Sequence, residues 1–277
     1  MISCKKESDT ISADLVVSVK TEASMDAQQD EIDDIAIGQL VAKSAIGGKA
    51  TVSADDDRVA CAKVTADIGS DKQGTILIDF DQTQDGSPNP GGCIDPRGNS
   101  RKGKIIISWV GAAWYQQGAI ITIALDNYKI NGVAITGGRE IHNITDDATP
   151  LIQVSTVFAQ HEATWPDGST ASRTIHKTRT WDVLQETLTV TQTPGTDDAA
   201  SGQTKNGKQY SVTITEGLVY TQDCVSANVY IPIRGKETFT VNDANTLHFD
   251  FGDGTCDNIF TLSYNGLSQT VLVSYQN

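Results

Sequence analysis

Apolar and polar residues alternate with a period of two along most of the chain after residue 58. In the segment Tyr210–Thr215, the side chains of Tyr210, Val212 and Ile214 alternate with hydroxyl side chains. A β-strand with this pattern buries one face and leaves the other in water, as antiparallel sheets allow. The same alternation recurs at Ile121/Ile123/Leu125, Leu188/Val190 and Val229/Ile231/Ile233. The pattern therefore predicts antiparallel strands.

Asn-Gly pairs separate several of these apolar runs. They occur at Asn131-Gly132, Asn206-Gly207 and Asn265-Gly266, and they are typical of tight hairpins whose turn residues need positive φ. Pro232 lies inside an apolar run and marks that strand as an edge or bulged one. About fifteen short strands at this spacing predict an all-β protein of the antiparallel β-sandwich type.

A repeated strand–turn–strand pattern suggests two related β units. In each copy a strand ends in Asp-Phe, a turn carries a cysteine followed closely by aspartate, and a return strand ends in Ser-aromatic-x-Gly. The first copy consists of Ile76–Phe80, Cys93–Asp95 and Ile105–Gly111, and the second of Leu247–Phe251, Cys256–Asp257 and Phe260–Gly266. We therefore expect a first unit over residues 58–192 and a second over 203–277, or the two packed as one continuous sandwich.

The first 57 residues differ from the rest in composition. They are rich in Asp, Ala and Ser, and they include Asp30, Glu31, Asp33 and Asp34. One helix is suggested around Asp26–Lys43, where three aliphatic residues share a face. We interpret residues 1–57 as a solvated N-terminal tether, partly disordered or helical.

The five cysteines favour structural disulfides over metal binding, because neither a CxxC motif nor zinc-finger spacing is present. Four of them allow three connectivities. The nearest-neighbour connectivity, Cys61–Cys93 and Cys224–Cys256, closes two loops of 32-residue separation, and we prefer it. Such bonds form in an oxidising compartment, so the pattern indicates an exported protein.

Cys4 is left without a partner in that connectivity. It follows Ser3, and a small residue before cysteine resembles the end of a bacterial lipoprotein signal. We expect a lipid on Cys4 that anchors the protein to a membrane. An unmodified terminal cysteine is the alternative.

Four sequence elements resemble a group of uncharacterised Bacteroidota lipoproteins. They are Asp95–Lys104, Trp165–Gly168, Arg179–Trp181 and Asp250–Asp257. The resemblance implies export as an outer-membrane lipoprotein, with surface display suggested by the charged residues after Cys4. It implies no activity.

Composition excludes several classes of function. The formal net charge of -14 disfavours nucleic-acid binding. Neither GxGxxG nor a P-loop is present, so we expect no nucleotide, and the four histidines show no metal-ligand spacing. Because no known catalytic motif appears, we assign no catalytic, cofactor or metal residue. Asp79 and Asp81 alternate as calcium ligands do, but we expect both to be solvated on an outward strand face.

Two groups of residues are candidates for ligand contact. Trp114 and Tyr115 lie between two strands, where an exposed loop tip would present them to a glycan or an envelope protein; alternatively, the hairpin folds them back on the sheet. Arg97 and Arg101 belong to a basic cluster that suits an acidic glycan or partner; alternatively, it pairs with neighbouring carboxylates such as Asp95. We therefore expect a membrane-tethered binding or structural module. The alternative is a carbohydrate-active hydrolase with an unrecognised carboxylate pair.

Overall fold

The computed structural model describes residues 10–43, 56–146, 151–182, 187–192 and 199–273. These residues form an antiparallel β-sheet, one long helix and one short helix. The helices are α1 (Ala13–Lys43) and α2 (Gln222–Ser226), and a 3₁₀ turn covers Asp57–Val59. The strands are β1 (Lys63–Ile68), β2 (Gly74–Asp79), β3 (Cys93–Ile94), β4 (Ser100–Val110), β5 (Ile120–Ile130), β6 (Val133–Thr136), β7 (Gly138–Asn143), β8 (Ile152–Thr164), β9 (Thr170–Ile175), β10 (Lys177–Asp182), β11 (Thr187–Gln192), β12 (Ala200–Gln203), β13 (Gln209–Thr221), β14 (Arg234–Val241), β15 (Asn245–Asp253), β16 (Ile259–Tyr264) and β17 (Leu267–Leu272).

The strands follow one another across the sheet nearly in chain order. Most pairs join consecutive strands, and short strands such as β3 and β6 are inserted beside longer ones. Every pair between named strands is antiparallel, which confirms the predicted fold class. Pairing also crosses the stretch expected to divide two units, because β12 pairs with β9 on one side and β13 on the other. Described strands on both sides of this stretch therefore belong to one sheet.

The predicted alternation and turns are observed at several positions. Tyr210 and Val212 are buried on β13, and the Asn131-Gly132 turn has φ of 49° and 82° at its two residues. The segment Val229–Ile233 is an exception. Its apolar side chains are buried, but it forms no strand, and the expectation of an edge strand at Pro232 is wrong.

Both predicted disulfides are present. The Cα atoms are 5.9 Å apart in Cys61–Cys93 and 5.2 Å apart in Cys224–Cys256. Cys93 lies in β3 beside the β2–β4 pair, whereas Cys256 lies between the paired strands β15 and β16. The two repeated sequence patterns therefore both form antiparallel strand pairs with a disulfide at the turn.

The acidic N-terminal segment is not solvated as expected. Helix α1 has 31 residues, begins well before the predicted Asp26, and is buried at every position from Thr21 to Asp33. A helix buried on all its faces must be enclosed on all sides, so the sheet surrounds this part of α1. The expectation of a solvated segment is therefore wrong for Thr21–Asp33, because its charged side chains are buried with partners.

Charge pairing explains how an acidic helix occupies the interior. Buried basic side chains point from the sheet and the 3₁₀ turn towards buried or partly buried carboxylates of α1. The pairs are Arg173 with Glu22 (3.1 Å) and Asp26, Lys177 with Asp26 (2.9 Å), Arg179 with Asp30 (2.7 Å) and Asp33, Arg139 with Asp33 (2.7 Å), Arg101 with Glu31, and Arg58 with Asp34 (2.6 Å).

The pKa of Asp26 shows the balance of forces in this network. Burial alone raises the pKa of a carboxyl, but the neighbouring Arg173 and Lys177 outweigh it and lower the pKa of Asp26 well below its usual value. Asp26 is therefore ionised.

Apolar contacts complete the packing of α1, because Leu15 and Val19 join one hydrophobic cluster and Ile32 and Leu40 join another.

We predict that Asp26→Ala lowers the free energy of unfolding by about 3–5 kcal/mol, because it leaves two buried cations without their shared partner. Urea denaturation with the disulfides intact measures this loss. Asp14→Ala is the matched control on the same helix. Asp14 pairs with Lys208 at the surface, where its side chain is 71% exposed, so its loss changes stability little. Equal effects of the two substitutions would contradict the account.

A second prediction concerns pH. Burial, with the nearby charge of Asp26, raises the pKa of Glu237 to about 8. A carboxyl whose pKa is raised in the folded state contributes stability that is fully present below its unfolded pKa, near 4.3. This contribution is lost as the pH rises towards 8, because the carboxyl ionises first in the unfolded chain. We expect Glu237→Gln to match wild-type stability near pH 4 and to exceed it by a few kcal/mol at pH 8.

The control for the pH experiment is Glu216→Gln, because the side chain of Glu216 is 55% exposed. Chemical denaturation at the two pH values measures both variants. A constant difference between Glu237→Gln and the wild type at pH 4 and pH 8 would show that Glu237 titrates normally.

Candidate functional site

A small cleft, lined mainly by polar residue types, lies where the two disulfide-bearing regions meet above helix α1. Its volume is about 110 Å³, and it is lined by Glu31, Arg97, Asn99, Ile130, Asn228 and Tyr230. These residues come from α1, the turn after β3, the end of β5 and the segment after α2. The cleft is smaller than pockets for drug-sized ligands, which occupy about 300–1,000 Å³. It suits part of one small polar molecule.

Asp95 shapes the turn that carries Arg97. Its Oδ1 atom accepts hydrogen bonds from the backbone N–H groups of Arg97 (2.9 Å) and Asn99 (2.8 Å), and Gly98 supplies the positive φ of 87°. The other carboxylate oxygen of Asp95 binds the Nε atom of Arg101 at 2.8 Å. The turn is therefore fixed to a buried side chain of β4.

Arg97 joins this turn to the opposite wall of the cleft. Its Nη1 atom donates to the backbone oxygen of Val225 at 2.9 Å, to Asn228 Oδ1 at 3.2 Å and to the Tyr230 hydroxyl at 2.6 Å. Asn228 adopts a left-handed φ of 64° directly after α2, which carries Cys224. Each wall is therefore fixed near a disulfide.

The floor of the cleft is the buried carboxylate of Glu31. It forms an ion pair with Arg101, whose Nη1 atom also donates to the Tyr128 hydroxyl at 2.8 Å. Burial raises the pKa of Tyr128 to about 12, and it raises the pKa of Tyr230 to about 12 as well. Both phenols are therefore neutral hydrogen-bonding groups at physiological pH.

The two arginines predicted to contact a ligand occupy different environments. Arg97 lines the cleft, and Arg101 is fully buried beneath it in ion pairs with Asp95 and Glu31. Pairing with carboxylates is the alternative that the sequence had offered for this cluster. Arg101 therefore supports the floor and does not face a ligand.

The aromatic candidates do not form an exposed loop tip. Trp114 is fully buried, with its ring 5.7 Å from Tyr115 and 6.5 Å from Trp181, and not in the exposed position expected of a ligand contact. Tyr115 is half-buried, and its hydroxyl lies 3.4 Å from Lys72 Nζ. The hairpin folds its aromatics back on the sheet, as the alternative interpretation had it.

The expectations for Asp79 and Cys4 have different outcomes. Asp79 is buried and accepts a hydrogen bond from the backbone of Asp81, so the expected solvated position of Asp79 is wrong. Cys4, the predicted lipid-bearing residue, lies outside the described residues. Within the described ranges, no group of three or more His, Cys, Asp or Glu side chains is arranged to hold a metal ion.

Sequence reasoning missed the rest of the cleft. Glu31, Asn99, Asn228 and Tyr230 come from distant segments and share no motif. The only available signal was the strand–turn–strand repeat, which placed Arg97 just after a cysteine turn. The pairing of that turn with the region after Cys224 required the tertiary structure.

We predict that Asp95→Ala destabilises the protein by about 3–5 kcal/mol and loosens the cleft turn, because Arg101 loses one of its two buried partners. Hydrogen exchange at the amides of Arg97 and Asn99 should accelerate. Asp167→Ala is the control, since Asp167 makes the same kind of turn in an exposed hairpin by accepting from Ser169 N at 2.9 Å. If the control were as destabilising as Asp95→Ala, the buried ion pair would not be the cause.

No protein-family model, curated protein or solved structure matches the chain.

Proposed function

We propose that the protein is an exported module, tethered to the outer membrane by a lipid on Cys4, that binds or organises a partner at the cell envelope without catalysing a reaction. The observation that carries the export part is the pair of disulfides, Cys61–Cys93 and Cys224–Cys256. Such bonds persist in oxidising compartments and are rare where thiols are kept reduced. This connectivity also leaves Cys4 available for acylation.

Because α1 is buried, the segment that could act as a tether is much shorter than residues 1–57. Thr10 is the first described residue, and six peptide units separate it from Cys4, which is at most about 20 Å of extended chain. A lipid on Cys4 would therefore hold the folded body close to the membrane surface. None of the described helices is long and apolar enough to cross a bilayer.

The cleft supports binding rather than hydrolysis. Glycosidases use two carboxyl groups that flank the scissile bond. The cleft is lined by one carboxylate, Glu31, which is already paired with Arg101. The hydrolase alternative would require a second carboxylate facing the same space.

We predict that the protein fractionates with membranes from its native cells and that Cys4→Ser releases it into the soluble fraction. Ser3→Ala is the matched control, because it keeps a small residue before the cysteine. Mass spectrometry of the N-terminal peptide identifies the acyl chains. Unacylated Cys4 in a soluble wild-type protein would overturn the tethered part of the proposal.

A further inference from the structure

The guanidinium of Arg97 differs from those of the two neighbouring arginines. Arg58 and Arg101 each bind two carboxylates, whereas no carboxylate of the described residues lies within 4 Å of Arg97. Its Nη1 atom donates hydrogen bonds to three neutral acceptors. Its Nε and Nη2 atoms donate no hydrogen bond to the described residues. Arg97 therefore brings unused N–H donors to the wall of the cleft.

The cleft also contains an acceptor and further polar groups. Glu31 Oε1 binds Arg101, and its second carboxylate oxygen accepts no hydrogen bond from the described residues. The amide of Asn228 and the hydroxyl of Tyr230 border the same space, and Ile130 adds an apolar surface. Donors, an acceptor and one aliphatic face therefore lie within a single small cavity.

The local charge argues against an ionic ligand. Three guanidiniums and the carboxylate of Glu31 act on Tyr230, and three further carboxylates of the described residues pair with two of those guanidiniums. This count leaves the region near neutral or slightly negative. The guanidiniums are those of Arg58, Arg97 and Arg101, and the carboxylates are those of Glu31, Asp34, Asp56 and Asp95. The excess negative charge would repel an anionic ligand, and the guanidinium of Arg97 would repel a cationic one.

We propose that this cleft binds the hydroxyl groups of one neutral sugar residue, an inference that rests on the proposed binding function. A hydroxyl both donates and accepts, so adjacent sugar hydroxyls bridge the Arg97 donors and the Glu31 acceptor, as neither a carboxylate nor an ammonium does. The aliphatic side of the ring packs on Ile130. With about 110 Å³ of space, the cleft holds part of one ring and not an oligosaccharide.

The test is saturation-transfer NMR on the purified protein with the methyl α-glycosides of glucose, galactose and mannose. Methyl glucuronide and glucosamine are the acidic and basic comparison probes. We expect at least one neutral glycoside to bind more tightly than either charged probe. Absence of binding by all three neutral glycosides, or tighter binding of a charged probe, would overturn the inference.

Substitutions of cleft residues test whether the sugar binds in this cleft. Arg97→Ala should weaken binding about tenfold or more, because hydrogen bonds to a charged group are lost. Arg234→Ala is the matched control, since Arg234 is exposed on β14 and does not line the cleft. Unchanged binding by Arg97→Ala would reject the assignment. Since Arg97 also holds the cleft walls together, Asn228→Gly is the second variant, because glycine keeps the left-handed φ of 64° while removing the side-chain amide. It should weaken binding in a protein whose thermal unfolding is close to that of the wild type.

The same samples separate this inference from the proposed tether. Cys4→Ser should bind the sugar as the wild type does, because Cys4 is remote in sequence from every cleft residue. Acylated protein that binds no neutral sugar rejects the cleft assignment alone. Sugar binding by a protein that is never acylated rejects the tether alone.

Discussion

The structure depends on ion pairs between the carboxylates of α1 and the basic side chains that point inward from the sheet. Each buried charge carries a desolvation cost of several kcal/mol, which only a close partner offsets. Asp26 between Arg173 and Lys177, and Asp33 between Arg139 and Arg179, satisfy that condition. Helix and sheet are therefore interdependent, because the sheet without the helix would enclose unpaired cations.

This dependence also builds the candidate site. Glu31 forms the floor of the cleft because α1 lies in the interior, and Arg101 holds that carboxylate in place. The Asp95 turn and the segment after α2 form the walls, each near a disulfide. The cleft thus has a rigid frame, and Arg97 is the cation in its wall that the described carboxylates leave unpaired.

The sequence predicted features set by local rules and missed those set by tertiary pairing. Period-two alternation and Asn-Gly turns identified the strands, because pleat geometry and positive φ act over a few residues. Equal cysteine spacing favoured the observed disulfides. The acidity of Asp30 and Asp33 was read as exposure, since polar residues are usually solvated and their partner, Arg179, lies more than a hundred residues away. The cleft was missed for the same reason.

Native-state hydrogen exchange tests most directly whether α1 is part of the core. If the ion pairs hold α1 inside the sheet, the amides of Thr21–Asp33 exchange only through global unfolding, with the same protection as the central strands β4 and β13. Exchange of these helix amides within minutes, while β4 and β13 stay protected, would show that α1 leaves the sheet without unfolding it. That result would contradict the account.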